Sequence, residues 1–301
     1  MSFATEVKAE LVSVENKDCC AIAQSYALLL FGRAFSGREM SLLTENEQVA
    51  AAYTEAAERF SGVSAVPERT EAGNYRIVID DRDALQHILA ALGHDAAGRR
   101  RVNFGMLEND CCFAAFIRGA FLACGTVTDP EKEYHLEFSV PTRGLCEDLM
   151  KLFDEFEPSP KMTDRAGAYI LYLKNSTDIE DALTLMGAPE CSMRVMGAKA
   201  IKSVKNTVNR KVNFENANLR RTVEAANRQR DAIAYIQQKH GFDALPPELR
   251  EIAALRFENE GMSNTELARM LSESITPSGV SHRLARILRI AEQLKEKDRS
   301  Q

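Results

Sequence analysis

Asp18-Cys19-Cys20 opens a chemistry that returns later in the chain as Asp110-Cys111-Cys112. Four thiolates make a tetrahedral zinc site, so Cys19, Cys20, Cys111 and Cys112 are a nominal ligand set. Zinc sites, however, favour C-x-x-C spacing, which lets both sulfurs reach one ion. Adjacent cysteines at a helix start point one inward and one sideways, filling small core volumes. The expectation is therefore core thiols, with no metal and no cofactor. Seven cysteines, an odd number without framework spacing, read as reduced thiols of a cytoplasmic protein.

The second chemistry is cationic. Residues 191–230 hold ten Lys or Arg against Glu215 and Glu224. Lys199, Lys202 and Lys205 stand three apart and share one helix face, while Val204, Val208 and Val212 stand four apart on another. With Arg210 and Lys211 they suggest a strip that tracks phosphates, giving affinity without sequence information. The last 25 residues add six basic side chains against three acidic ones. There Val280, Leu284, Ile287, Ala291 and Leu294 mark a buried stripe. Ser278, Ser281, His282, Arg283, Arg286 and Arg289 fall on the opposite face. Arg283 and Arg286 suit guanine edges or flanking phosphates, and Ser278 and Ser281 suit a phosphate at a helix start. His282 reads equally as a base contact or as an exposed, neutral histidine. The whole chain is nonetheless acidic, with 38 Lys and Arg against 44 Asp and Glu and a net charge of −6. That distribution describes an acidic body with a polyanion-binding end.

The elements that position these residues come from a repeat. Ala72-Gly73 with Tyr75 reappears as Ala166-Gly167 with Tyr169, Leu89 as Leu183 and Gly93 as Gly187, an offset of 94. A period this long implies a duplicated half-domain packed about a pseudo-twofold axis. The copies run about 18–93 and 110–187. Each opens with a helix apolar nearly all round, over 19–31 and 112–124, hence buried. Gly32 and Gly125 should end these helices as left-handed caps, and Gly119, Ala120 and Ala123 should let a neighbouring helix approach closely. Copy two then reads as strand 134–140, helix 145–156, a hairpin of 161–163 and 168–173 turning at 164–167, and helix 178–186. Copy one gives strand 39–44, helix 47–60, a hairpin of 63–69 and 75–79, and helix 83–92. A strand at 126–127 rests on analogy alone.

Between the repeat and the tail, a helix over 192–212 should break at Asn206, Asn209 and Asn213 and restart near Asn216. In the tail a helix of 248–259 begins after Pro246-Pro247, with Leu249, Ile252, Ala253 and Leu255 or Phe257 inward. Ser263 to Glu266 is a capping box before a short helix. A third helix starts at Thr276-Pro277. A short helix, a connection and a helix with small polar and basic residues in its first turns is helix-turn-helix logic. No apolar run is long enough for a membrane span. The start, with Glu6 and Glu10, lacks the basic head and apolar stretch of a secretion signal.

FIRGAFLACGTV resembles the motif helix of LAGLIDADG homing endonucleases, whose two-copy members share this element order. In that family an acid before each final glycine holds divalent metal at the scissile phosphates. The matching positions here are Phe31 before Gly32 and Cys124 before Gly125, so the resemblance implies a scaffold kept and a nuclease lost. Asp129, Glu131 and Glu133 lie just beyond the second motif, without a counterpart in copy one. The tail resembles the promoter-reading fourth region of bacterial sigma factors. LPPELREIAALR and SGVSHRLARI, joined to the degenerate motif domain, resemble the WhiA family of bacterial regulators of sporulation and cell division. That resemblance covers essentially the whole chain. It implies an α+β fold: a duplicated LAGLIDADG-like domain over 1–190, a basic helical linker over 191–240 and an all-α helix-turn-helix domain over 241–301. The implied function is transcriptional regulation at promoters by a cytoplasmic, nucleoid-associated monomer with no catalytic residues. Its partners would be promoter DNA and a protein of the transcription machinery, not a membrane. A metal-dependent endonuclease and a nucleoid-associated interaction protein are the alternatives.

Overall fold

The structure is a computed structural model that describes residues 2–299 apart from Ala97, Ala166 and Glu260. Ala166, part of the expected turn at 164–167, thus lies outside the described residues. The chain forms two compact units, Met1–Ser203 and Val204–Gln301.

The first unit opens with α1 (Phe3–Val12), whose spacing of Phe3, Val7 and Leu11 buries one stripe behind a Ser2 N-cap. Copy one follows as α2 (Asp18–Leu30), β1 (Ala34–Phe35), β2 (Met40–Thr44), α3 (Glu47–Ser61), β3 (Glu68–Arg69), β4 (Tyr75–Ile79) and α4 (Arg82–Leu92). Copy two repeats the order as α5 (Asp110–Cys124), β5 (Gly125–Val127), β6 (Leu136–Val140), α6 (Arg143–Phe153), β7 (Lys161–Arg165), β8 (Ala168–Leu173) and α7 (Ser176–Met186). Each copy builds a four-stranded antiparallel sheet, in order β1-β2-β4-β3 and β5-β6-β8-β7. In β6 the period of two puts Leu136, Phe138 and Val140 into the core while Glu137 and Ser139 turn away. The strand inferred by analogy at 126–127 is present, and so is its counterpart β1. The hairpin of copy one is shorter than expected, because only Glu68 and Arg69 pair with β4.

At the centre α2 packs against α5. A Cβ on Gly119 would lie 2.3 Å from the Gln24 carbonyl oxygen and 2.9 Å from the Ala27 Cβ, so the two backbones meet where only glycine fits. Gly32 and Gly125 depart from expectation. Neither adopts positive φ; Gly125 is extended at φ −88°, and Phe31 is the C-cap of α2. Crowding requires them instead: a Cβ would lie 2.7 Å from the Ser41 carbonyl oxygen at Gly32 and 2.2 Å from the Phe121 ring at Gly125.

Residues 189–239 form one helix, α8 (Pro189–Lys239), without the break expected near 213–216. Asn206, Asn209 and Asn213 are exposed, so their amides meet water, and asparagine costs a helix interior only tenths of a kcal/mol more than its neighbours. Cys191 and Val195 join the core of the first unit, and Ala232, Ile233 and Ile236 join that of the second. Residues 191–240 are thus shared between two cores rather than standing alone as a linker.

The second unit continues with a 3₁₀ turn at Phe242–Ala244, then α9 (Pro247–Glu258), α10 (Asn264–Met270) and α11 (Pro277–Arg299). Leu249, Ile252 and Ala253 of α9, Leu267 of α10, and Val280, Leu284, Ile287 and Ala291 of α11 close its core. Leu294 is only half-buried. The fourth inward residue of α9 is Arg256, not Leu255 or Phe257, which are half-buried. No helix among the described residues is long and apolar enough to cross a membrane.

Gly119→Ala should destabilise the first unit by about 1–3 kcal/mol through overpacking. Gly197→Ala, in α8 with nothing within 4 Å of a built Cβ, should stabilise its helix by about 0.5–1 kcal/mol. Urea unfolding of the full chain checks both, and equal effects would contradict the close approach.

Candidate functional site

The C-terminal ends of α2 and α5 lie beside a cavity of about 540 Å³ lined by Phe31, Arg33, Leu42, Ala123, Cys124 and Ser139 among others, with no carboxylate among the described residues of its wall. Phe31 is buried edge-on against Phe116. Cations occupy the carbonyls that each helix end leaves unpaired. Lys8 Nζ donates to the Leu122 carbonyl at 3.2 Å. Arg100 Nε donates to the Leu30 carbonyl at 2.6 Å and Nη2 to that of Gly32 at 2.5 Å. Burial pushes the Lys8 ammonium below its ordinary value and the Arg100 guanidinium down to about 10. Even so shifted, the guanidinium stays charged at neutral pH, complementing the negative ends of the helix dipoles. Burial pushes the Cys124 thiol up to about 12, and it donates to the Ala120 carbonyl at 3.3 Å. A hard divalent cation needs oxygen ligands. Here it would meet a phenyl ring, a protonated thiol and two cations. The acids beyond the motif form a loop of their own: Asp129 accepts from the Glu131 amide at 2.9 Å, and Lys202 Nζ caps the Pro130 and Lys132 carbonyls at 2.8 and 3.2 Å.

Lys202 also stands 4.4 Å from the Tyr134 ring centroid. Lys199 Nζ reaches Thr177 Oγ1 at 2.9 Å and Glu180 at 3.4 Å. Of the expected phosphate strip, Lys199 and Lys202 thus bond to neighbouring residues of the first unit. Lys205, Arg210 and Lys211 remain exposed. The cysteine pairs are also redistributed. Cys19, Cys20 and Cys111 come together at the opposite, N-terminal ends of α2 and α5, while Cys112 is buried outside that group.

In the second unit the capping box forms as read: Ser263 N donates to Glu266 Oε2 at 2.7 Å, and the Glu266 amide donates to Ser263 Oγ at 3.3 Å. The α9–α10 turn is held from beneath by Arg256, which donates to the Met262 carbonyl at 2.5 Å and to Asn264 Oδ1 at 2.9 Å. The connection before α11 is tied to α9 by Glu251, which accepts from the Ser272 amide at 2.8 Å and its hydroxyl at 2.7 Å. Charge had argued against Arg256 as a core residue, yet its spacing from Leu249, Ile252 and Ala253 pointed inward.

These ties fix α11, whose first turns carry the expected polar face. Ser278, Ser281, His282, Arg286 and Arg289 are exposed, and Arg283 is half-buried. The two arginines favoured for base edges are ion-paired. Arg283 Nη2 lies 2.5 Å from Glu273 Oε2 and its Nη1 donates to the Glu248 carbonyl at 3.3 Å; Arg286 Nη1 lies 3.0 Å from Glu248 Oε1.

Two family domains match the chain: the WhiA LAGLIDADG-like domain over residues 113–205 and the WhiA C-terminal HTH domain over 208–291. The probable cell division protein WhiA of Alkaliphilus oremlandii is 36% identical over 316 residues, covering 98% of this chain and 98% of the relative. That of Bacillus subtilis is 36% identical over 308 residues with the same coverage. Full-length WhiA from Thermotoga maritima shares the fold, with a TM-score of 0.57 at 24% identity over 97% of this chain and 99% of the other.

The Ser272 amide first, and then its hydroxyl, hold the Glu251 carboxyl below its ordinary value of 4.5, as the Ser263 amide and hydroxyl do for Glu266. A depressed carboxyl contributes stability above its unfolded value and loses it as pH falls through the folded value. Glu251→Gln should therefore destabilise the second unit at neutral pH, and the gap from wild type should close as pH drops below 4.5. Thermal unfolding of the full chain across the acid range checks this, and a gap independent of pH would contradict it.

Proposed function

The chain belongs to the WhiA family, and from that premise we propose that it is a sequence-specific DNA-binding regulator acting at promoters, without nuclease activity. The observation that carries the reading is the anchored α11, which presents Ser278, Ser281, His282, Arg286 and Arg289 from one face of a helix-turn-helix unit. A recognition helix meets base edges with its N-terminal residues. Ser278 and Ser281 take a phosphate there, His282 faces the groove, and Arg283 and Arg286 reach guanine or flanking phosphate by exchanging their acidic partners. Lys205, Arg210, Lys211 and Arg289 add phosphate contacts.

Loss of cleavage follows from electrostatics at the motif-helix ends. Two-metal phosphodiester hydrolysis stabilises the attacking and leaving oxygens with cations held by carboxylates. Lys8 and Arg100 place positive charge at those helix ends. The relatives' names point to a role in cell division, and sporulation control belongs to the same reading. We place the protein at the nucleoid, as a monomer working with a protein of the transcription machinery.

A genome-wide map of bound sites tests the promoter assignment, and equal affinity for mapped and random DNA would favour loose nucleoid attachment. On a mapped site Arg286→Ala should cost about 1–3 kcal/mol at one base position. Replacing Lys205, Arg210 and Lys211 together with Gln should weaken binding to all sequences and flatten the salt dependence by about one unit of slope per lost contact. Incubation with Mg²⁺ or Mn²⁺ should leave the bound DNA uncut; metal-dependent nicking lost in a Cys124→Ala chain would overturn the assignment.

A further inference from the structure

We propose that Cys19, Cys20 and Cys111 form a three-thiolate site for a thiophilic closed-shell cation, zinc(II) or copper(I), that bridges the two halves of the duplicated domain.

Cys19 Sγ lies 3.9 Å from Cys20 Sγ and 3.9 Å from Cys111 Sγ, and all three sulfurs fall within 4.8 Å of one another. A metal bound to thiolates at about 2.3 Å requires its sulfurs to stand roughly 3.8 Å apart in tetrahedral geometry and 4.0 Å apart in trigonal geometry. Two of the three spacings already meet that requirement. The third needs one side chain to turn, with Cys20 Sγ giving up its 3.6 Å contact to the Cys111 carbonyl.

The scaffold holds the site in place. Cys19 and Cys20 occupy the first turn of α2 and Cys111 that of α5, and the close approach at Gly119 keeps the two helices together. Exposure is graded: Cys20 is buried, Cys19 half-buried and Cys111 exposed. An ion entering from water therefore meets a floor of sulfur and keeps one side open. The ligand type selects the ion, because thiolates favour copper(I) and zinc over magnesium, manganese or calcium. Cys112, the repeat mate of Cys20, lies outside the group, so the fourth position falls to solvent or stays empty. The site is also remote from the ancestral metal position, at the other end of helices about 20 Å long.

A coordinating cation takes its thiols as thiolates and displaces their protons, so binding must strengthen as pH rises.

The test uses the full chain, reduced and stripped with chelator under anaerobic conditions. Zinc(II) and copper(I) are titrated separately against a competing chromogenic chelator. The expected result is one ion per chain, with sulfur scattering from three ligands in X-ray absorption and raised thermal stability. Saturation by zinc alone assigns zinc, and saturation by copper(I) alone assigns copper. Cys111→Ser, at an exposed position that leaves folding intact, should lose at least about 100-fold in affinity, while Cys112→Ala should retain it. Failure of both ions to compete, or equal affinity in Cys111→Ser, overturns the proposal. So does a Cys19–Cys111 disulfide in aerobic protein whose reduced form binds neither ion.

Discussion

The contact between α2 and α5 is the constraint from which the first unit follows. The Gln24 backbone sits where a Gly119 side chain would be, so the helices meet backbone to backbone rather than through a layer of side chains. Such an approach leaves little room for polar groups, yet Arg118 is buried beside it. It is tolerated because each arm of its guanidinium has an acceptor: Gln24 Oε1 at 2.7 Å, the Met186 carbonyl at 2.7 Å, and Asn16 Oδ1. Gln24 thus serves the interface twice, its backbone against Gly119 and its side chain against Arg118. A buried charge without such partners would cost several kcal/mol, so the arginine fixes helix register as well as proximity. Each half then places its sheet and outer helices around its own motif helix.

Much of this was readable because the chain states it twice. The strand at 125–127 was invisible by composition and was expected by analogy alone, and its counterpart at 34–35 was not read from the sequence. The helices expected over 47–60 and 83–92 fall within a residue of α3 and α4, which Asn46 and Asp81 cap. Some of the departures share a cause, which is the reading of a polar or charged side chain as a marker of exposure or of a helix break. Lys199 and Lys202, expected to be free for phosphate, bond to the residues they lie on. Arg118 stood alone among apolar neighbours, and Arg256 completed an inward heptad, so both had a positional signal that their charge obscured. The asparagines of α8 misled in the same manner, since a polar interruption breaks a helix only where its side chain competes for the backbone.

The two ends of the α2–α5 pair have opposite chemistry. Helix C-termini are partially negative and leave carbonyls unpaired, and here Lys8 and Arg100 neutralise them. Carboxylates at those ends would add like charge and require metal for balance, the condition a nuclease exploits. Here the cations are already in place, and the cavity beside the helix ends is lined by Phe31 and Cys124 among others. At the N-termini the dipole is positive. The three clustered sulfurs sit there. A single packing constraint has therefore held both ends in register while the chemistry available at each has become independent of the other.

The tail poses a different electrostatic problem, because the basic face of α11 must sit on a chain of net charge −6. Glu248 and Glu273 address it locally by holding Arg286 and Arg283 on the surface. Both acids are substantially exposed, and exposed ion pairs contribute only about 0–1 kcal/mol. Releasing such a partner is therefore inexpensive, whereas a guanidinium bonded in the core, like Arg256, is held by two acceptors. The pairs also reduce the rotamer freedom of two long side chains. Glu251 sits behind them, fixing the segment that leads into α11 through Ser272. The division of labour is physical: buried or doubly bonded charges set the geometry of the helix-turn-helix, and weakly paired surface charges remain available to a polyanion.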